Sequence, residues 1–298
     1  MKKKMLLVYN PCAGKGVVRS KLSYIVEAFV RANYELTIHA TRGKDDATNV
    51  VAKIGSRFDM VTCCGGDGTL NEVTIGIMQC KKKPPCGYIP AGTTNDCAAS
   101  LGLSKNLVSA AHTIIHGDIF PYDLGTINGN YFIYIAGFGA FTEVSYKTSQ
   151  SVKNVLGRMA YLLAGVKSIP RIKKYRVRAE YEDKVIEDDF IYGMVSNSNS
   201  VGGFKGLNGK DVSLNDGLFE VTLIRVPHNP ADLTSIITAL LNPGANSRFV
   251  ESFHTKKITL VSEEKLDWTV DGEYGGSFTE VEIENHMHAV NYVVNKEK

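Results

Sequence analysis

Through the first 117 residues, short apolar runs alternate with segments whose apolar positions recur three and four apart. Each change of period falls at a glycine-rich or polar turn. The run at 5–10 predicts a first strand, and 17–33 predicts a helix with Leu22, Ile25, Val26 and Phe29 on one face. Residues 34–40 alternate as a second strand. Asp45-Asp46 then opens a helix with acids where the positive end of its dipole favours them. Apolar, β-prone runs at 59–64 and 86–89 predict strands three and four, the former followed by helical spacing over 71–78. Strand, turn, helix and turn in repeated order imply a parallel sheet with helices on both sides.

Beyond Gly117 the period changes. Residues 122–127 and 131–137 flank Asn128-Gly129, the strongest short hairpin signal, so antiparallel structure begins here and the domain boundary falls at 125–130. The expected division is an α/β domain over 1–127 and a β-rich domain over 128–298, whose last strand can return to the first domain. A length of 298 residues suits two cores. A helix is expected over 158–169, ended before Pro170, and another over 231–241 after Pro230. Strands are expected at 176–181, 190–196, 218–226 and 266–270, with short strands filling the rest. The loop Gly137-Phe138-Gly139-Ala140-Phe141-Thr142 lacks a third glycine and fails the dinucleotide fingerprint.

With 44% hydrophobic and 22% charged residues the composition is that of an ordinary globular protein, and no apolar run is long enough to span a bilayer. Met1-Lys2-Lys3-Lys4 is basic, but the apolar run after it stops at Asn10-Pro11, which reads as a strand rather than a signal peptide. Cys12, Cys63, Cys64, Cys80, Cys86 and Cys97 crowd the first third without a paired framework, which suggests reduced thiols in the cytoplasm. No Cys-x-x-Cys spacing supports a metal cluster. His286 and His288 alternate in a late strand as surface or packing residues. The net charge is only +3, but no acid lies between Glu143 and Glu180 while basic residues accumulate over 147–178. Such a block attracts an anionic surface, nucleic acid or a membrane leaflet. Lys81-Lys82-Lys83-Pro84-Pro85 reads as an exposed loop.

The candidate chemistry sits at the turns. Gly65-Gly66-Asp67-Gly68-Thr69 joins a strand to a helix, and its glycines let backbone N–H groups approach an anion at a helix N-terminus. An acid, Asp67, within an anion site makes sense when a divalent cation lies between carboxylate and phosphate. A tight turn that binds nothing is the plainer alternative. Pro90-Ala91-Gly92-Thr93-Thr94-Asn95-Asp96 follows the next strand and puts Asp96 and Thr93 on the same sheet edge. Asn10-Pro11-Cys12-Ala13-Gly14-Lys15-Gly16 supplies a third turn there. It is not a Walker A loop, because no Ser or Thr follows Lys15.

Together these turns resemble the diacylglycerol kinase catalytic domain, a family of bacterial and other lipid kinases that includes sphingosine kinases. The Gly-Gly-Asp-Gly turn alone is shared with phosphofructokinases and NAD kinases; its combination with Gly92-Thr93-Thr94-Asn95-Asp96 is the specific feature. The resemblance implies a Rossmann-like ATP-binding domain, a β-rich lipid-substrate domain and a cleft between them. It implies that Asn10, Pro11, Gly14, Lys15, Thr41, Gly65, Gly66, Gly68, Thr69, Asn71, Glu72 and Thr93 bind ATP. Asp67 would hold the catalytic Mg2+, and Glu273 of Asp271-Gly272-Glu273-Tyr274 would accept the proton of the lipid hydroxyl, with Asp96 as the second candidate for that role and a link between the base and the metal site. Relatives also hold a structural Mg2+ in a loop matching residues 211–218, where Asp216 is the carboxylate and Ser213 and Leu218 supply carbonyls. Read on its own, that loop is an Asx-type turn. A lysine carried by some relatives aligns with Ala164, and Lys167 lies one turn on.

The implied activity is ATP-dependent phosphorylation of diacylglycerol to phosphatidic acid by a cytoplasmic protein that visits the inner face of the membrane through segment 147–178. The phosphotransferase motifs shift that segment away from nucleic acid. Phosphatidylglycerol, a sphingoid base or monoacylglycerol are alternative acceptors, and a catalytically idle nucleotide and lipid sensor is another reading. A kinase of a soluble substrate is the third. Some relatives are homodimers, though nothing in the sequence requires such an interface.

Overall fold

A computed structural model of the chain describes residues 2–139, 173–201, 204–205, 212–242, 245 and 247–296. The helix expected over 158–169, Phe141, Thr142, Lys167, Asp211 and the 147–172 part of the basic segment lie outside them. By internal packing the chain divides into one unit formed by Met1–Asp123 with His288–Lys298, and a second formed by Leu124–Met287.

The first unit is a parallel sheet in the order β2-β1-β3-β4, from β1 (Lys3–Tyr9), β2 (Tyr34–Ala40), β3 (Met60–Gly65) and β4 (Cys86–Pro90). Its helices are α1 (Val17–Arg31), α2 (Asp46–Ile54), α3 (Asp67–Met78), α4 (Asp96–Ser100) and α5 (Leu107–His116). Met5, Leu7, Met60, Cys64 and Ile89 pack with Ile25 and Phe29 of α1 and with Leu107, Ala110 and Ile114 of α5. The intervening Leu6, Val8, Val61 and Cys63 are equally buried, and α2 and α3 pack against each other with α3 on β3. Side chains of a strand alternate between faces, so these continuous apolar runs match a sheet covered on both sides.

Three boundaries differ from the expected ones. α1 stops at Arg31, because Asn33 takes a left-handed conformation (φ 66°) that turns the chain into β2. α3 begins at Asp67 rather than at residue 71, with extended Gly66 as its N-cap. The sequence period marks only where apolar residues start to recur, whereas the helix starts at the turn before them. α5 was not among the expected elements; its N-cap Asn106 accepts hydrogen bonds from the Val108 and Ser109 amides.

β5 (Asp118–Ile127) passes from the first unit into the second after Asp123, and its end forms the expected hairpin with β6 (Asn130–Phe132), Ile127 standing opposite Asn130. Asn128 and Gly129 both take positive φ (47° and 82°), as a two-residue type I′ turn requires. Strands β7 (Ile135–Gly139), β8 (Tyr175–Tyr181) and β9 (Lys184–Ser196) follow, then the short pair β10 (Ser200–Val201) and β11 (Phe204–Lys205), and β12 (Phe219–Arg225). Next come α6 (Pro230–Leu241), β13 (Val250–Thr255), β14 (Lys257–Val270) and β15 (Glu273–Val294).

Neighbours in the order β13-β12-β9-β7-β14-β15 are antiparallel, with β8 paired to β9 and β14. The core gathers Phe132, Phe138, Phe190, Phe219 and Trp268, and Ile236 and Leu240 of α6 belong to a smaller cluster with Met194 and Phe249. The tail is not a set of short strands. β14 and β15 are 14 and 22 residues long, and a register shift between Val261 and Leu266 absorbs the charged run that interrupts the alternation.

The last residues of β15 belong to the first unit, where Tyr292 lies in parallel register with Cys86 of β4. There the Tyr292 hydroxyl hydrogen-bonds Thr74 of α3 at 2.8 Å and its ring meets Tyr122 edge-on at 5.2 Å.

Candidate functional site

The three turns of the first unit lie at the carboxyl ends of β1, β3 and β4, where open α/β sheets hold phosphates. The Asn10 amide donates to the Cys64 carbonyl at 2.9 Å, and its side-chain nitrogen donates to Thr69 Oγ1 at 3.4 Å. Asn10 Oδ1 in turn accepts from the Cys12 amide at 2.8 Å, closing the first turn on itself. Gly14 takes φ 59°, and a Cβ there would stand 2.6 Å from the Ala91 carbonyl oxygen. The Gly66 and Gly92 backbones touch: a Cβ on Gly92 would meet Gly66 Cα at 2.6 Å. Only glycine permits that approach.

Asn95 organises the Gly92 turn, a role that sequence reading missed. Buried and left-handed (φ 56°), it accepts from the Gly92 amide at 2.8 Å and from the Tyr88 hydroxyl at 3.3 Å, and donates to the Gly92 carbonyl at 2.9 Å. An Asn between Thr and Asp just before a helix was the available signal. Asp67 stands in the first turn of α3, and its carboxylate accepts from the Asp96 amide at 3.2 Å and the Cys97 amide at 3.4 Å. It therefore caps α4 and brings Asp96, itself buried, to the same place.

Several other expected residues fall around these turns. Gly68 is exposed, Thr69 buried and Asn71 half-buried along α3, while Thr93 is exposed in the Gly92 turn. The Thr41 amide donates to the Tyr9 carbonyl at 2.9 Å, which ties the end of β2 beside the first turn. Glu72 caps α2, its carboxylate accepting from the Asp45 and Ala47 amides at 3.0 and 3.1 Å. Pro11 lies half-buried in the first turn; the Lys15 side chain falls outside the described atoms. Burial pushes the Cys64 and Cys86 thiols, at opposite ends of the sheet, up to about 12, so both stay protonated.

In the second unit, Asp271 and Gly272 form the two-residue turn between β14 and β15, both at positive φ (47° and 85°), with Val270 opposite Glu273. Glu273 is exposed at the start of β15. Asp271 is buried, and its carboxylate accepts from the amides of Ile133 (2.7 Å), Tyr134 (3.0 Å) and Ile135 (3.2 Å). This capture is why the strand expected over 131–137 breaks between β6 and β7.

In the loop before β12, Asp216 Oδ1 accepts from the Leu218 amide at 3.0 Å, the Asx turn read from sequence, and Ser213 Oγ donates to Asn215 at 3.2 Å. The Leu218 carbonyl accepts from Asn285 at 3.1 Å. Nearby Glu220 is buried, one carboxyl oxygen has no hydrogen-bond partner among the described residues, and burial with the charge of Asp216 pushes its carboxyl up to about 8. A cation in the loop would relieve two crowded acids, so hard oxygen donors there fit a divalent ion.

The donors at Asp67 and Asp96 fit one too. No cluster of three or more His, Cys, Asp or Glu among the described residues could hold a metal by itself.

The described end of the basic segment behaves differently from its sequence. Lys173 pairs with Glu264 at 3.2 Å, Lys174 with Asp189 at 2.6 Å, Arg176 with Glu187 at 2.9 Å and Arg178 with Glu180 at 2.8 Å. The chain has no acid between these cations, but antiparallel β9 sets Asp189 and Glu187 beside Lys174 and Arg176, β14 sets Glu264 beside Lys173, and Arg178 meets Glu180 of its own strand.

A parallel α/β sheet with three glycine-bearing turns in contact, two acids at adjacent helix N-termini and an antiparallel β unit defines the class: an α/β phosphate-binding fold carrying a β domain. The comparisons then narrow it. Residues 4–127 match the family model for the diacylglycerol kinase catalytic domain. A Bacillus subtilis (strain 168) protein named diacylglycerol kinase is 36% identical over 293 residues, 97% of this chain and 96% of that one. One of the same name from Staphylococcus aureus (strain JH9) is 33% identical, covering 100% of this chain and 96% of that one. The crystal structure of a diacylglycerol kinase from Bacillus anthracis str. Sterne superposes with TM-score 0.76 at 25% identity, covering 98% of this chain and 97% of that one. A second crystal structure from that organism gives TM-score 0.85 at 26% identity, with the same coverage. The chain belongs to the diacylglycerol kinase family.

Proposed function

We propose that the protein transfers the γ-phosphoryl group of ATP to the free hydroxyl of diacylglycerol, giving phosphatidic acid and ADP. The observation that carries this reading is the contact of the three turns, which sets Asp67 and Asp96 beside glycine backbones at one sheet edge. Gly65, Gly66 and Gly68 hold the nucleotide phosphates through backbone N–H groups, with Asn10, Pro11, Gly14, Thr41, Thr69, Asn71 and Thr93 shaping the rest of the pocket. Glu72 holds the Thr41–Asp45 loop by its cap on α2. Lys15 offsets phosphate charge.

Bound Mg2+ supplies neutralisation of the phosphate oxygens, and Asp67 is the residue that would hold it. Glu273 accepts the proton of the lipid hydroxyl as its oxygen bonds to phosphorus and the bond to the ADP oxygen breaks. Asp96 supports Asp67. The loop of Ser213, Asp216 and Leu218 would hold a second, structural Mg2+ through the Asp216 carboxylate and the Ser213 and Leu218 carbonyls. Among the described residues no helix is long and apolar enough to cross a membrane. A lipid acceptor requires the protein to work at the bilayer surface, for which Lys147, Lys153, Arg158, Lys167 and Arg171 of segment 147–178 supply cations beyond the four that are ion-paired.

The test is ATP consumption with diacylglycerol in mixed micelles, with and without anionic lipid. Asp67→Asn and Glu273→Gln should both abolish turnover, while the glutamine variant still binds ATP. Full activity in Glu273→Gln removes that residue as proton acceptor. Inactivity on lipids combined with activity on NAD defeats the lipid-kinase reading.

A further inference from the structure

The opposite end of the first sheet carries a feature that the phosphotransferase reading does not use. At the amino ends of β1–β4 lies a cavity of about 570 Å³, a volume ordinary for a small-molecule site. Lys2, Lys3, Lys4 and Arg57 line it, and Asp59 is its one acid. That acid is already engaged, its Oδ2 accepting from the Lys4 amide at 2.8 Å. Among the described residues none of the four cations has a carboxylate within ion-pair distance, in contrast to Lys173, Lys174, Arg176 and Arg178.

The surroundings add to the imbalance. The Lys82 amide donates to Ser56 at 3.3 Å, which sets the exposed Lys81-Lys82-Lys83 turn beside Arg57. Tyr34 also lines the cavity; burial, with the charge of Asp59, holds its phenol above the ordinary value, so it remains a neutral donor. Strands of five to seven residues separate this end from the Gly66 and Gly92 turns by about 20 Å. One ligand cannot occupy both ends.

The geometry points to a second anion site, at the amino ends of β1–β4, that takes a phosphate monoester through Lys2, Lys3, Lys4 and Arg57. A dianion with three acceptor oxygens matches four unpaired cations better than a single carboxylate does. The monoester can be a free metabolite or the headgroup of a lipid such as phosphatidic acid; exposed Ile119 and buried Met60 at the same cavity offer apolar surface to the latter. The site stands independently of the proposed kinase activity.

Two arms separate the sources. With ADP and Mg2+ present in excess, glycerol 3-phosphate is titrated calorimetrically. Separately, co-sedimentation is measured with phosphatidylcholine vesicles that contain or lack phosphatidic acid. Saturable binding in either arm is expected, weakened by about tenfold or more in Lys3→Ala/Arg57→Ala. Arg57→Gln, a milder exposed change, should weaken it by about fivefold and serves if the double variant folds poorly. Lys21→Ala/Lys53→Ala removes the same charge elsewhere on this unit and should leave affinity unchanged, as should ADP binding in every variant. Binding only to the acidic vesicles assigns the lipid source, and binding of glycerol 3-phosphate assigns the free one. Binding in neither arm, or an equal loss in the control variant, overturns the site.

Discussion

Asp271 shows how much one side chain can settle. Three backbone amides converge on its carboxylate, and it sits two residues before the proposed proton acceptor. Asp271→Ala would remove the carboxylate that accepts from these three amides, and a lowered urea midpoint corresponding to about 3 kcal/mol is expected. Because the turn then loses its anchor to Ile133–Ile135, kcat should fall at least about tenfold while KM for ATP holds, since the nucleotide turns belong to the other unit. The Asp-Gly pair was legible as a hairpin turn. Its side-chain partners were not, because they stand more than a hundred positions earlier in the chain. The same holds for Asp67, whose acid was visible but whose role as cap of α4 depends on a contact across 29 positions.

At the scale of elements, the glycine turns act as a set. Gly66 and Gly92 approach backbone to backbone, so a methyl group at position 92 must push α3 and α4 apart. Gly92→Ala should lower stability by about 2 kcal/mol and raise KM for ATP. Gly43→Ala, where an added Cβ meets nothing within 4 Å, should change neither. Thermal melts of the two variants decide the matter. The parallel strands were readable because their apolar runs are continuous, and the Asn128-Gly129 hairpin because its turn chemistry is local. α5 and the true length of β14 and β15 were not. α5, 10 residues long, offers fewer than about three turns over which a period can be read, and a bulge hides the continuity of a long strand.

At the scale of the whole molecule, the chain returns: its final residues complete the first unit after the second has been made. A chain stopped after Met287 should lose the folded first unit, since Val290, Tyr292 and Val293 are buried there and Asn295 donates to the Gly102 carbonyl at 3.0 Å. Trp268, the single tryptophan, is wholly buried in the second unit and would report that unit's unfolding separately. Loss of amide-exchange protection in β1–β4 with Trp268 still buried is the expected outcome; full protection would refute it.

Local chemistry, written in consecutive residues, determined the fold class, the three turns and the acids Asp67 and Asp96 within them; the role proposed for Glu273 comes from the family resemblance alone. Tertiary structure decided what those groups touch: which amides Asp67 and Asp271 accept from, and which cations meet acids and which remain unpaired. The charges around β8 read as a basic block until β9 placed Asp189 and Glu187 beside Lys174 and Arg176, while Lys2, Lys3 and Lys4 at the start of β1 line a cavity with a single acid, Asp59. The reason is physical. Backbone conformation follows from neighbours in sequence, but electrostatic and hydrogen-bond partners follow from neighbours in space, which strand pairing alone assigns.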